Sequence, residues 1–263
     1  MLGSMNLMVN LAHHKLAAAA EWFGAKRLMA FSLGETRVIV TCNPDVAKEI
    51  LNSSVFADRP VKESAYSLMF NRAIGFAPYG VYWRTLRRIA ATHLFYPKQI
   101  NASEPQRSEI AAQMVSVIAC HTGEFSVRDV LKRASLSNMM CSVFGKKYET
   151  VELGELVQEG YELLGKLNWS DHLPWLAGLD LQKIRFRCSK LVPKVNQYVN
   201  RIMKEHRDQT GQKNHDFVDV LLSLQGPDKL SDDDMVAVLW VSKTKRNNVY
   251  FIQKNNAKQY IVG

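Results

Sequence analysis

Apolar positions recur at helical spacing through most of the chain, with one short exception near its start. The spacing predicts a helix over 8–23 that ends at Gly24. Two β-rich runs, 28–33 and 37–41, follow on either side of Gly34-Glu35-Thr36 and predict a hairpin. The front of the chain is therefore expected to be a small mixed α and β unit.

Helix boundaries behind the hairpin are marked by capping residues, proline and glycine. Asn43 followed by Pro44 predicts a helix start, and Pro78 with Gly80 precedes a helix expected to end near Phe95. The same signals predict further helices over 104–120, 126–144, 152–167, 181–207, 216–224 and from 231 onwards. Pro193 predicts either a kink in the run 181–207 or two shorter helices. The predicted fold is mainly α with a small N-terminal β-hairpin, an α+β arrangement.

One predicted helix is apolar on every face. Its start is marked by Ser231 and three aspartates, since acidic groups are stabilising in a first helical turn. The six residues 235–240 are all apolar, which is expected of a helix buried through the middle of a protein. Beyond Trp240 the sequence is basic, rich in asparagine and without period. We expect a main portion over 1–240 and a divergent, disordered basic tail over 241–263.

Composition and charge exclude several classes of protein. The 263 residues are 47% hydrophobic and 22% charged, which is ordinary for a globular chain and excludes a disordered or collagen-like one. The net charge is +9, but five of these charges lie in 241–263. No zinc spacing, glycine-aromatic RNA signature or basic zipper accompanies the charge. We therefore expect no specific nucleic-acid site.

Cysteine and histidine patterns predict neither a disulfide framework nor a metal site. The four cysteines are far apart in the sequence, which favours a reducing compartment. His13-His14, His206 and His215 do not stand at metal-ligand spacing with carboxylates, so solvated or capping histidines are expected. No uncharged apolar stretch approaches the roughly 20 residues needed to cross a bilayer.

The candidate chemistry lies in the helix that follows Gly80. Trp83 and Arg87 are four residues apart and share a helix face. An indole N–H donor then stands beside a guanidinium fork, a combination that suits a carboxylate. By spacing alone, an amphipathic helix with a solvated basic side explains these residues at least as well.

Several separated segments resemble the cytochrome P-450 family, the haem-thiolate monooxygenases. The stretch 76–88 resembles the helix in which a Trp-x-x-x-Arg pair meets a haem propionate. Phe56-Ala57-Asp58-Arg59-Pro60 and His93-Leu94-Phe95 resemble plant microsomal members, and 67–100 and 168–176 resemble subfamily 78A. The segments agree in order over about 2–240, so the chain is identified as an N-terminal, incomplete part of the cytochrome P-450 fold.

The resemblance implies an activity, a cofactor and site residues. The family inserts one oxygen atom of O2 into a small lipophilic substrate, with electrons from NADPH through a reductase, and its cofactor is haem. Trp83 and Arg87 would then contact the propionates. The segment between Pro60 and Phe76 would form a loop over the haem. Its residues expected to face substrate are Ser67, Leu68, Met69, Phe70 and Ile74.

The sequence also departs from the family pattern. The iron ligand of the family is a cysteine in a Phe-x-x-Gly-x-Arg-x-Cys-x-Gly loop, and none of the four cysteines has those neighbours. The helix that begins at Ser231 leads to Val241-Ser242-Lys243-Thr244, which supplies a hydroxyl but no matching acid. We therefore expect a chain truncated at both ends that is inactive alone. The family resides at the endoplasmic reticulum membrane, whereas a chain without an anchor is expected to be cytoplasmic or peripheral.

Two alternatives from other classes stay open. In the first, the chain is a non-catalytic remnant or an interaction module, and it self-associates through an exposed core. Alternatively, it binds acidic partners through the tail and the face that carries Arg84 and Arg88.

Overall fold

Helices make up most of the residues that the computed structural model describes, which are 3–8, 11–145, 151–208, 216–241 and 259–262. The helices are α1 (Ala12–Trp22), α2 (Pro44–Asn52), α3 (Glu63–Ser67), α4 (Val81–Ile89), α5 (Pro97–Ala102), α6 (Glu104–Ala119), α7 (Val127–Phe144), α8 (Val151–Gly165), α9 (Trp169–His172), α10 (Ile184–Asp208), α11 (Phe217–Ser223) and α12 (Asp232–Val241). The strands are β1 (Met29–Leu33), β2 (Thr36–Val40) and β3 (Gln259–Val262). The predicted mainly α architecture with an N-terminal hairpin is confirmed.

The capping signals of the sequence work as predicted. Asn43 caps α2, because its Oδ1 accepts hydrogen bonds from the N–H groups of Asp45 and Val46, each at 3.0 Å. At α7, the Ser126 hydroxyl accepts from the third residue of the helix at 3.3 Å. The same helix ends at Gly145, whose φ of +77° is a conformation that favours glycine.

Proline does not divide the longest helix. α10 runs over 25 residues with Pro193 inside it, so the prediction of two shorter helices is wrong. Leu191 and Val195, on either side of the proline, are both buried. Burial of Leu191 and Val195 stabilises α10, although Pro193 has no N–H and so removes one backbone hydrogen bond of the helix.

The hairpin is fixed to the rest of the fold at its turn. β1 and β2 pair antiparallel, with Met29 opposite Val40. Gly34 has φ +56°, and a Cβ at this position would lie 2.2 Å from the carbonyl oxygen of His172. The N–H of Glu35 donates to that same oxygen at 2.9 Å. Glycine is therefore required here both by its conformation and by the close approach of α9.

A third strand extends this sheet. β3 pairs parallel to β2, with Arg37 opposite Gln259 and Val40 opposite Val262. The sheet order is β1-β2-β3. Residues 242–258 and 263 of the basic tail lie outside the described residues, and the disorder expected of the tail stays a prediction.

The main core surrounds α12. The six residues 235–240 are all buried, which confirms the prediction from their unbroken apolar sequence. A Cβ at Gly160 of α8 would lie 2.7 Å from the Trp240 ring, so the absence of a side chain lets the indole approach α8 closely. Among the described helices, none combines the length and apolar character that crossing a bilayer requires.

A buried histidine joins α10 to α11. The His206 and Asp216 side chains are only 1% and 4% exposed, and Nε2 lies 3.0 Å from Asp216 Oδ2. Nδ1 lies 2.9 Å from the Ile202 carbonyl oxygen. A carbonyl and a carboxylate both accept hydrogen bonds, so this arrangement favours the protonated ring, in which both nitrogens donate. The solvated or capping role expected for His206 is wrong, because residues ten apart in sequence meet in the core.

The side chains near His206 include three of the types that bind metal ions, and hydrogen bonds explain why they lie close together. Atoms of His206, Asp216 and Asp219 lie within 4.8 Å of one another. Asp216 also caps α11, since its Oδ1 accepts the Asp219 N–H at 3.1 Å. The protonated ring and a helix cap therefore account for both Asp216 oxygens, and His206 and Asp216 form an ion pair when the ring is charged.

Replacing His206 with Gln should destabilise the protein by about 3 kcal/mol in mildly acidic solution, because Asp216 is left as a buried, unpaired charge. Burial disfavours the charged ring, but the hydrogen bonds to Asp216 and Ile202 raise the pKa of His206 overall. The stabilisation is therefore complete below the unfolded pKa of about 6.5 and is lost as pH rises through the raised folded pKa. Urea unfolding of both proteins across this range measures the difference. The exposed His93→Gln is the control, and a pH-independent difference would contradict the charged pair.

Candidate functional site

Trp83 and Arg87 stand one turn apart on α4, as their spacing predicts. The Arg87 guanidinium carbon lies 5.6 Å from the centroid of the Trp83 ring. The guanidinium carbon of Arg59 lies 5.9 Å from the same ring. Trp83 is half-buried and Arg87 is exposed. The Trp83 ring therefore makes cation–π contacts with two arginines, one from its own helix and one from the segment before α3.

The indole N–H is already engaged by backbone. Trp83 Nε1 donates to the carbonyl oxygen of Ile74 at 3.1 Å. One residue earlier on α4, the Tyr82 hydroxyl donates to the carbonyl oxygen of Arg72 at 2.7 Å. Two neighbouring aromatic residues of α4 thus hold the chain at 72–74, the end of the segment expected to face substrate.

That segment divides into buried and half-buried positions. The five positions expected from the resemblance are Ser67, Leu68, Met69, Phe70 and Ile74. Leu68 and Phe70 are buried in the main core, and the Phe70 ring lies 6.4 Å from the ring of Trp240. Ser67, Met69 and Ile74 are half-buried. The residues left partly accessible are therefore two apolar side chains and one hydroxyl.

Charges on α4 are compensated unequally. Arg88 forms an ion pair with Asp228. Arg84 and Arg87 instead rest on the rings of Tyr79 and Trp83, at 5.6 Å each. Neither has a carboxylate partner among the residues that the structure describes. An exposed guanidinium of this kind can bind a planar anion such as a haem propionate through two parallel hydrogen bonds, so Arg87 fits that group.

The four cysteines differ in burial, which affects whether a thiol can ionise and bind iron. Cys141 and Cys188 are buried, whereas Cys42 and Cys120 are exposed. Burial, with the nearby Asp180 and Glu63 charges, raises the pKa of Cys188 to about 11. That side chain is a neutral thiol, while haem-thiolate chemistry requires the anion.

Sequence comparison decides the family. The family model described as Cytochrome P450 matches residues 6–241. The chain is 69% identical over 250 residues to cytochrome P450 78A9 of Arabidopsis thaliana and 67% identical over 248 residues to cytochrome P450 78A3 of Glycine max. The chain belongs to the cytochrome P450 family.

Both relatives are longer than this chain. Each alignment covers 91% of this chain but 47% of the relative, so the chain spans about half the length of the P450s it matches. A cyanobacterial P450 with bound retinoic acid superposes with a TM-score of 0.72 at 15% identity, over 92% of this chain and 53% of the other. A zebra fish P450 with progesterone gives a TM-score of 0.65 at 19% identity, over 91% and 57%. These structures share the P450 fold.

Arg59 is the site residue that spacing did not reveal. It precedes Trp83 by 24 positions, and its side chain is held by the carbonyl groups of Gly75 at 3.1 Å and Ala57 at 3.3 Å. The motif Phe56-Ala57-Asp58-Arg59-Pro60 contained the residue, but no helical or strand period relates it to α4. Its role depends on how the segment 57–75, which includes α3, folds back onto α4.

Replacing Trp83 with Phe should destabilise the protein by about 1–3 kcal/mol, because the Ile74 carbonyl loses its donor. Urea unfolding measures the change. Trp175, which is 65% exposed, provides the matched control, and Trp175→Phe should change stability by less than about 0.5 kcal/mol. Equal effects of the two substitutions would contradict a specific anchoring role for Trp83.

Proposed function

We propose that this chain supplies the propionate contacts and part of the substrate-facing surface of a haem-dependent monooxygenase. The observation that carries the proposal is the exposed Arg87 guanidinium, stacked on Trp83 and without a carboxylate partner among the described residues. When bound, haem supplies the oxygen chemistry: one atom of O2 enters a C–H bond of a small lipophilic substrate and the other leaves as water. Electrons come from NADPH through a cytochrome reductase.

Each residue of the site has a distinct part in this proposal. Arg87 binds the propionate, since its fork matches a carboxylate. Trp83 orients Arg87 by stacking, and its N–H holds the Ile74 carbonyl in place. Arg59, on the same ring, adds positive charge that favours the anion.

The segment 67–74 provides the surface for substrate. Met69 and Ile74 are half-buried and offer apolar contact, while Ser67 offers a hydroxyl. Leu68 and Phe70 support this surface from below, since both are buried in the core. A mainly apolar lining suits a lipophilic molecule.

Activity of this chain alone is not expected. The thiolate that binds iron in P450s favours O–O cleavage. None of the four cysteines has the neighbours of the family's ligand loop, and the buried Cys188 is also a neutral thiol. We propose that monooxygenase activity requires the other half of a P450 chain, which brings the cysteine loop.

Co-expression with the complementary C-terminal half of cytochrome P450 78A9 tests this function. Haem should bind to the complex and give the thiolate-type Soret band of the carbon monoxide form. Arg87→Ala should weaken haem binding by roughly tenfold, since a charged hydrogen bond contributes about 1.5–3 kcal/mol. The control is Arg84→Ala, which removes a cation that also rests on a ring of this region.

Two outcomes would contradict the proposal. The first is haem binding that is equally weakened by Arg84→Ala and Arg87→Ala, because the contact would then be non-specific. The second is a complex that forms and lacks haem altogether.

A non-catalytic interaction module remains the second candidate, and α6 is the observation that favours it. This helix of 16 residues has no buried residue. Val115 and Ile118 of α6 and Leu131 of α7 are exposed. Exposed apolar surface of this kind favours association. If this candidate is right, the chain self-associates. Adding the C-terminal half of cytochrome P450 78A9 then neither dissociates the oligomer, as measured by size-exclusion chromatography, nor leads to haem binding.

We also propose a peripheral position at a membrane surface. Trp175, Leu179 and Leu181, which lie in the connection between α9 and α10, are 65%, 63% and 57% exposed. Aromatic and aliphatic side chains of this kind partition into the interface between headgroups and acyl chains.

Replacing both Trp175 and Leu179 with Ser should weaken binding of the chain to phosphatidylcholine vesicles, measured by sedimentation, by about thirtyfold, because each substitution removes roughly 1 kcal/mol of apolar transfer free energy. Val81→Ser is the control, since Val81 is 75% exposed on α4. If the control reduces sedimentation equally, the connection between α9 and α10 is not the contact surface.

A further inference from the structure

Glu63 joins two parts of the chain that are more than 100 residues apart. Its Oε1 lies 2.6 Å from Nε of Arg185, at the start of α10. Its Oε2 accepts a hydrogen bond from Nδ2 of Asn168 at 2.8 Å. Its backbone N–H donates to Oδ1 of Asp171 at 2.9 Å. One residue at the start of α3 thus contacts the end of the α8–α9 connection, α9 and α10.

The neighbouring residue makes a further contact of the same kind. The Lys62 ammonium donates to the carbonyl oxygen of Leu164, in the last turn of α8. A cation at this end of a helix satisfies an otherwise unpaired carbonyl. Burial lowers the pKa of Lys62 to about 8, against the opposing effect of Asp171. We call the group formed by Lys62, Glu63, Asn168, Asp171 and Arg185 the polar junction.

Within the polar junction, Glu63 is hard to replace. The Arg185 Nε and Nη2 atoms are both buried and make no hydrogen bond among the described residues, so the 2.6 Å contact between Nε and Glu63 is an ion pair. Glu63 is also the one carboxylate found within ion-pair distance of Arg185 in the described part of the chain. Asn168 is itself fixed, because its Oδ1 accepts the Ser170 N–H at 3.2 Å and caps α9. Loss of the Glu63 charge would leave the Arg185 guanidinium, whose side chain is 41% exposed, without a carboxylate partner among the described residues, and solvent would screen only part of this loss.

The polar junction lies at one end of the segment 63–74, and α4 holds the other end. At the far end, Trp83 and Tyr82 donate to the carbonyl groups of Ile74 and Arg72. The residues proposed to face substrate stand between these two attachments.

We propose that Glu63 is a positioning residue that sets the place of 67–74 relative to Trp83. The inference rests on the proposed function of that segment. Through Glu63, the position of the substrate-facing segment is coupled to the connection between α8 and α10, and Glu63 itself does not touch substrate.

Amide hydrogen exchange of the full chain, without haem, tests this role. Glu63→Gln keeps the shape of the side chain and removes its charge. Exchange of the amides at 68–73 should become at least about tenfold faster, because local opening no longer breaks the Glu63–Arg185 ion pair or a charge-assisted hydrogen bond from Asn168. Amides of α2 and α11 should be unchanged. The fluorine resonance of 5-fluorotryptophan at Trp83, assigned with Trp83→Phe, should shift in the same variant.

Exchanging the charges of Glu63 and Arg185 distinguishes a positioning role of Glu63 from a general loss of stability. The double variant Glu63→Arg with Arg185→Glu should restore slow exchange at 68–73, since the ion pair is re-formed with its charges reversed. The control is Glu49→Gln on α2, because Glu49 is exposed and its carboxylate has no partner among the described residues. Arg185→Lys takes the place of Glu63→Gln if that variant does not fold.

The proposal is overturned if exchange at 68–73 is unchanged, if all helices exchange faster together, or if the double variant stays as fast as the single one. These readouts require no haem. A negative haem titration would therefore contradict the proposed function and leave the role of Glu63 standing.

Discussion

Burial of residues 235–240 of α12 on every face is the constraint on which the rest of the helical structure depends. An apolar helix cannot leave any side in water, so other elements must cover it from all directions. α8 approaches closely because Gly160 has no side chain, and Phe70 stacks near Trp240 at 6.4 Å. The placement of Phe70 in turn brings the segment 67–74 beneath α4. The core and the candidate site therefore belong to one continuous cluster of packed side chains.

Charged groups around the start of α12 connect this core to the site. Asp232 pairs with Arg207 at 2.6 Å, and Asp234 lies 3.4 Å from Arg72. The backbone carbonyl of Arg72 accepts the hydroxyl of Tyr82 on α4. These ion pairs are partly exposed and contribute little individually. The backbone at 72–74 is held mainly by the hydrogen bonds from Tyr82 and Trp83, and the Arg72–Asp234 pair adds a contact with α12.

Local patterns predicted most elements and one contact of the site. The capping residues Asn43 and Ser126 placed helix starts correctly because a cap is satisfied within three residues of sequence. Trp83 and Arg87 meet because a helix brings positions four apart together. Of the two alternatives predicted at Pro193, the division into two shorter helices is wrong, because buried neighbours on α10 outweigh the local cost of proline.

Sequence alone determined the helical architecture, the hairpin, the burial of α12 and the family to which the chain belongs. Tertiary structure decided which side chains meet across long separations: Arg59 with Trp83, His206 with Asp216, and Glu63 with Arg185. It also decided that Leu68 and Phe70 are buried while Met69 and Ile74 stay partly accessible. The physical reason is that hydrogen bonding and periodicity act over a few residues, whereas charge pairing and close packing depend on where the whole chain folds back.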